Sequence, residues 1–325
     1  MRPSTFFPFG VLFALWSAAL LAQVPAVQDS SPAPNASQPQ RLPAERPTSS
    51  SSAESPAPSE EARLALLERV IANQKKDDLE QYTYERLERL EVQKGSSAPQ
   101  SPEVRTSRVI PAGTGLDRIP VGPDGQPLDA AAYRAELEKL EHALSWAAQE
   151  GRAQRDAYEK IAKKQKERSD LIDATRVAFL YTFIAREKRG ERILEKYQLA
   201  PNPAYHATSR ATSMFAKVRG YVWIDEEAAQ VARAEMEVTD DISIGGFLAK
   251  VYKGSHFMQE RYEMAPGLWF ATYSQYDFDG RRLFVSFGLH ERTSYSRYRR
   301  IGPPREALQA IRAELGKTDS AKADP

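Results

Sequence analysis

The sequence predicts an α+β domain, a curved antiparallel β-sheet covered by helices with a long helical insertion. Three observations carry this. From Val218 to Arg300 one strand-like segment follows another, each bounded by turn residues. Within Val231 to Val238, Ala232, Ala234, Met236 and Val238 fall on one side and Arg233, Glu235 and Glu237 on the other, the period-2 pattern of a strand with one wet face. Leu283, Val285, Phe287 and Leu289 repeat that pattern, and helical periodicity is confined to three other stretches.

The chain opens on an export signal. Arg2 supplies its positive region, Phe6 to Leu21 is apolar apart from Ser17, and Ala22 or Ala26 is a fitting cleavage position. Residues 1–22 are assigned to it, with a retained membrane anchor as the alternative. Residues 23–59 follow as a Pro-, Ser- and Ala-rich linker, with too few large apolar side chains to offset the entropy of ordering. The folded part is read as 60–316, and 317–325 as a disordered tail.

Ser59 with Glu60 and Glu61 starts a helix, a capping hydroxyl followed by acids at the positive dipole end. Leu64, Leu67, Val70 and Ile71 form its stripe. Tyr82 to Lys94 and Val104 to Ile110 read as strands, and Gly122-Pro123-Asp124-Gly125 as a turn. The insertion, 129–170, carries a heptad-like seam of Tyr133, Leu137, Leu140, Leu144 and Ala147 that weakens at Gly151. Such a seam serves a helix or helical hairpin packed on the sheet, or a coiled-coil docking surface.

Ala178 to Arg186 and Glu191 to Leu199 flank Lys188-Arg189-Gly190 as a hairpin. Thr208 to Phe215 reads as a short helix. The meander then runs through Val218–Ile224, Val231–Val238, Phe247–Tyr252, His256–Met264, Leu268–Phe278, Leu283–Glu291 and Thr293–Arg300, with turns at Gly245-Gly246 and at Asp277-Phe278-Asp279-Gly280 among others. Arg305 to Gly316, with Leu308, Ile311 and Leu315 on one side, closes the chain as a helix.

Gly220-Tyr221-Val222-Trp223-Ile224-Asp225 followed by VARAEMEV, and later Gly267-Leu268-Trp269, resemble the outer-membrane lipoprotein-sorting (LolA-like) carrier superfamily. Gly245 to Lys250 and Lys253 to Ser255 resemble uncharacterised exported bacterial members. The resemblance covers about Glu61 to Arg300 and implies a half-barrel sheet whose concave apolar side accepts acyl chains. The helical insertion and the linker depart from the carriers. No functional residue is carried over.

Net charge is +1, from 45 basic and 44 acidic residues, so no global field draws the chain to nucleic acid. There is no cysteine, hence no disulfide framework and no acylation site after the signal. His142, His206, His256 and His290 are scattered without ligand spacing, which leaves no metal site and no cofactor motif. Glu226-Glu227 and Asp240-Asp241 fall in turns, and Ser255 beside His256 on a strand points to the opposite face. The expectation is a binding protein, not an enzyme.

Two residue sets stand out. Met236, Met258, Tyr262, Met264, Trp223 and Trp269 are candidates for contact with an apolar ligand, because thioethers and aromatics adapt to acyl shapes; ordinary core is the alternative. Arg297, Arg299 and Arg300, in a C-terminal segment rich in arginine, are candidates for an anionic surface such as lipid headgroups, or form a solvated edge. The sequence thus points to an exported periplasmic protein holding a lipid or acylated ligand, with peripheral membrane contact. A cell-envelope interaction module docking a protein partner through the 129–168 helix is the rival.

Overall fold

The structure, a computed structural model, describes residues 57–94, 101–244, 249–282 and 285–323. The signal, nearly all of the linker, Gly245-Gly246 and Leu283 lie outside these. The described helices are α1 (Glu60–Glu80), α2 (Ala130–Ala147), α3 (Arg152–Ala178) and α4 (Pro304–Ala323). The strands are β1 (Tyr84–Lys94), β2 (Glu103–Pro111), β3 (Leu116–Pro120), β4 (Phe179–Arg189), β5 (Arg192–Pro201), β6 (Val218–Asp225), β7 (Gln230–Val238), β8 (Ile242–Ile244), β9 (Ala249–Val251), β10 (His256–Ala265), β11 (Leu268–Arg282) and β12 (Val285–Arg300). None of these helices is long and apolar enough to cross a membrane.

All strands join one antiparallel, unclosed sheet in the order β3-β2-β1-β12-β11-β10-β7-β6-β5-β4, with β8 and β9 branching beside β11. The first and last long strands, β1 and β12, pair in its middle. The helical insertion carries the chain from the β3 edge to the β4 edge. It breaks where Gly151 interrupts the seam, and α3 runs on to Ala178.

Each local start has a visible cause. The Ser59 hydroxyl accepts from the Ala62 amide at 3.2 Å, and Asp129 caps α2 through the Ala132 amide at 2.8 Å. Gly190 turns the β4–β5 hairpin with φ +61°. At Gly220 a side chain is impossible, since a Cβ would lie 1.8 Å from the Glu235 carbonyl oxygen of β7.

The helices cover both faces of the sheet, at opposite ends. Register pairs put partners on the same face. Leu66, Leu67 and Val70 of α1 and Leu171 and Ile172 of α3 bury against Tyr197, Val222, Ala234 and Val238 on β5–β7. Leu137, Leu140 and Leu144 of α2 and Ile311 and Leu315 of α4 bury against Ile110 and Ile119 on β2 and β3. Ile110 alternates with Val109, which pairs with Arg86, so this second core lies on the other face. Fully burying each such aliphatic side chain contributes roughly 1.5–3 kcal/mol. The α2 seam is therefore filled by α4 and the sheet.

Four local expectations are corrected. Asp277-Phe278-Asp279-Gly280 is not a turn: β11 continues through it to Arg282, and Gly280 is there because a Cβ would meet the Lys250 carbonyl of β9 at 2.3 Å. The two C-terminal strands are one, β12, with the irregularity at Arg297, whose φ is +54°. Leu64 is exposed and Leu66 takes its place in the core. The short helix is a 3-10 turn at Thr212–Lys217, and β3 and β8 are additional strands.

Candidate functional site

A single row of in-facing side chains crosses the sheet on the face carrying α1 and α3. Its members are Phe183, Tyr197, Val222, Ala234, Gln259, Ser274, Thr293, Leu90 and Arg105, each paired with the next. The row is apolar from β4 to β7 and polar from β10 to β12. A parallel row, two residues away along each strand, runs Gly220, Met236, Phe257, Tyr276, Glu291, Val92 and Glu103. Tyr295, Glu88 and Ser107 make a third.

The polar part is buried. Gln259 and Ser274 are 0% exposed, Thr293 1% and Glu291 4%. The Gln259 Nε2 donates to Ser274 Oγ at 3.1 Å, and the Thr293 hydroxyl donates to Glu291 Oε1 at 3.2 Å. Arg118 Nε donates to Glu88 Oε1 at 3.1 Å. Arg86 stands 3.9 Å from Glu88 Oε2, outside hydrogen-bond reach, with its guanidinium over the Tyr295 ring. Burial pushes the Glu291 carboxyl up to about 7; the nearby Glu88 charge adds to this, while the Thr293 hydrogen bond and Arg118 oppose it. Burial likewise pushes the Tyr295 phenol up to about 12, which keeps it a neutral hydroxyl.

Beside these polar groups lies an aromatic cluster, Phe257, Tyr276 and Phe278, with Met236 against it. No side chain of α1 or α3 belongs to this cluster, whereas both helices fill the one over β4–β9. At the boundary sits a buried ion pair. Arg261 Nη2 donates to Asp77 Oδ2 of α1 at 2.7 Å and to the Trp269 carbonyl. Burial pushes the Asp77 carboxyl up and the Arg261 guanidinium down, and their mutual attraction opposes both.

The apolar-ligand candidates are not brought together. Met236 lies on the α1/α3 face between two clusters. Met258 pairs with Glu235, hence on the opposite face from the Met236–Phe257 pair. Bulges at Glu260/Arg261 and Glu263/Ala265 break the parity that linked Met258, Tyr262 and Met264 in sequence. Met264 packs near Tyr84 and Phe270, and Tyr262 is exposed under the Arg189 guanidinium. Trp223 and Trp269 are buried together with Leu194, roofed by Lys196, Arg233 and Arg192.

The arginine candidates have internal partners: Arg297 the Asp124 carbonyl, Arg299 the Glu85 carboxylate at 2.6 Å, and Arg300 Glu306 at 2.9 Å. Glu291 does not face them; it points to the buried side. The turn acids Asp240 and Asp241 pair with Lys217 and Lys250. Among the described residues no three of His, Cys, Asp and Glu could hold a metal ion.

Sequence reasoning missed Glu88, Glu291, Thr293, Ser274 and Gln259. One signal was available: Leu289, Glu291, Thr293 and Tyr295 share parity, as do Phe257 and Gln259, so polar residues occupy in-facing positions of strands otherwise apolar on that side.

No family model matches the chain, and no curated protein matches it. Among solved structures it is similar to a DUF1329 family protein from Desulfovibrio piger, at 11% identity and TM-score 0.29 over 73% of this chain and 92% of that one. It is similar also to a domain described as an outer membrane lipoprotein-sorting protein from Vibrio parahaemolyticus, at 11% identity and TM-score 0.28 over 72% and 92%. A LolA superfamily protein from Nitrosomonas europaea matches at 10% identity and TM-score 0.28 over 72% and 91%. Lipoprotein-sorting folds, anticipated at Gly220–Asp225, are thus among the structures this chain resembles. At these TM-scores the likeness carries no weight for function, and the open antiparallel sheet stands on its own register.

Proposed function

We propose that this chain is an exported, non-enzymatic binding protein that holds a lipid or acylated ligand on the α1/α3 face, where β10, β11, β12 and β1 extend beyond the helix-filled core. One observation carries the reading: the same in-facing rows that are apolar and filled under α1 and α3 become mixed, aromatic beside polar, beyond them. There Phe257, Tyr276, Phe278 and Met236 adjoin half-buried Leu289, Val92 and Leu90, with Glu291, Thr293 and Glu88 alongside. A strip that is apolar along one side and polar along the other suits an amphiphile. Its chain gains by leaving water, at about 25 cal/mol per Å² of apolar area, while its head hydrogen-bonds. Within this reading Met236 remains an apolar contact, and the exposed Tyr262 lies apart from it.

The docking alternative loses its main support, because the seam of the 129–168 segment is already buried in Leu137, Leu140 and Leu144 against α4. The test is native mass spectrometry of the full mature protein, stripped of endogenous lipid and offered a fatty acid, a phospholipid and an acylated peptide. One-to-one adducts are expected, weakened by Phe257→Ala or Phe278→Ala with the circular dichroism spectrum unchanged. Failure to take up any of the three would sink the reading.

A further inference from the structure

We propose that Glu88, Glu291 and Tyr295 form a head-group subsite for a protonated primary amine carried by the bound amphiphile; this rests on the binding reading above. The argument is a count of donors and acceptors. Glu88 and Glu291 come from β1 and β12, which pair in the middle of the sheet. Arg118 Nε serves Glu88 Oε1, and the Thr293 hydroxyl serves Glu291 Oε1. Glu88 Oε2 is buried without a hydrogen-bond partner although Glu88 is only 6% exposed, and the Tyr295 hydroxyl beside it, on a side chain 5% exposed, has the neutral Ser274 hydroxyl as its neighbour. Arg86, the nearest cation to Glu88 Oε2, is turned onto the Tyr295 ring instead of closing on the carboxylate.

A buried acceptor left unmade costs about 1–3 kcal/mol, more when charged, so each one in a folded protein calls for a reason, and an arriving partner is one. What is missing is an N–H donor to Glu88 Oε2, and a cationic one suits a site with two carboxylates. An ammonium group offers three N–H donors, enough for Glu88 Oε2, a Glu291 oxygen and the Tyr295 hydroxyl. The ammonium adds its charge to that of Arg118, which bonds Glu88 and already acts on Glu291. The titratable and charged groups around the subsite are Arg86 and Glu88 on β1, Arg118 on β3, Tyr276 on β11, and Glu291, Tyr295 and Tyr298 on β12. Entry of a cation favours the carboxylate form of Glu291, so the amine binds more tightly as pH rises, with a proton released.

The experiment uses soluble short-chain lipids on the full mature protein. Dihexanoyl phosphatidylethanolamine and dihexanoyl phosphatidylglycerol are titrated by calorimetry at about pH 6 and about pH 8. A charge-assisted contact predicts a preference of about tenfold for the ethanolamine head at the higher pH, shrinking at the lower. Glu291→Gln should abolish that preference and its pH dependence while binding of the glycerol lipid persists, which shows that the variant is folded. A second pair, an acylated peptide with a free or an acetylated N-terminus, tells whether a peptide amine is taken as well as a phospholipid amine; discrimination in either pair supports the subsite. Equal affinity within both pairs, or a preference that survives Glu291→Gln, overturns the inference and leaves the binding reading standing. No binding of any probe overturns both.

Discussion

The two halves of the α1/α3 face use the same strand ladders in opposite ways. From β4 to β7 the in-facing positions are Phe183, Tyr197, Val222 and Ala234, and α1 and α3 close over them with leucines and isoleucine. From β10 to β1 the same rows set Gln259, Ser274, Thr293, Glu291 and Glu88 beside Phe257 and Tyr276, and burial extends over polar as well as apolar groups. The first half gives back transfer free energy for every side chain it hides. The second hides groups whose desolvation must be offset bond by bond, and not all of those bonds are made. That contrast separates the part of the sheet that holds the fold together from the part free to do something else.

The sharpest way to break the comparison is at its boundary. Asp77 anchors α1 to Arg261, and both side chains are almost fully buried. Asp77→Ala leaves a buried guanidinium with the Trp269 carbonyl and the less direct charge of Asp78, and the expected loss is about 3–5 kcal/mol in urea unfolding. A loss below about 1 kcal/mol would mean that the apolar contacts of α1 alone fix the helix, and that the boundary is not where the two halves are joined.

Next in size is the pH behaviour of the polar half. The folded-state pKa of Glu291, about 7, lies above the ordinary 4.5. The stability this carboxyl contributes is therefore complete below about pH 4.5 and is lost as pH rises through 7. By pH 8 the loss amounts to about 3 kcal/mol. Glu291→Gln cannot ionise, so the variant should overtake the wild type in stability as pH is raised from about 5 to about 8, by up to about 3 kcal/mol. Parallel stability profiles for the two proteins would show that Glu291 is well solvated, and the two halves would then differ far less than their burial implies.

Much of the first half was legible in the sequence, and little of the second. The alternation from Val231 to Val238 placed Ala234, Met236 and Val238 on the buried face, but Ala232, read with them, packs instead with Trp223 and Trp269 beyond the bulge at Trp223/Ile224, and Val231 enters the core. Ser59 marked the start of α1 by its capping chemistry, which is local and so readable. Three things were not local. Which face each helix covers follows from the crossover of α2 and α3 between the two sheet edges, a property of topology alone. The parity of Met258, Tyr262 and Met264 was lost to bulges that carry no glycine signal. Gly280 looked like a turn because Asp-Gly is turn chemistry, whereas it is required by the approach of β9. Glu291 misled for a different reason. It lies in sequence among Arg281, Arg282, Arg292 and Arg297, a setting that suggests solvent, yet its alternation with Arg292 sends it to the other face.

The finest resolution of the comparison comes from one hydroxyl. Thr293 is 1% exposed, and its Oγ1 bonds only to Glu291 Oε1. Thr293→Val keeps the shape and the strand preference and removes that bond alone. The hydrogen bond favours the carboxylate, so its loss should move the Glu291 titration further upward, readable by carboxyl NMR or infrared difference spectra. The stability change should be small and pH-dependent: about 1 kcal/mol at pH 8, where Glu291 is a carboxylate in need of donors, and less at pH 5, where it carries its own proton. The same substitution at a typical in-facing position of the apolar half would help rather than hurt, because valine is what that half already uses at Val222. If Thr293→Val stabilises the protein at pH 8, the polar half tolerates apolar filling as well as its neighbour does. Its buried carboxylates would then be an accident of packing rather than a surface kept ready for a ligand.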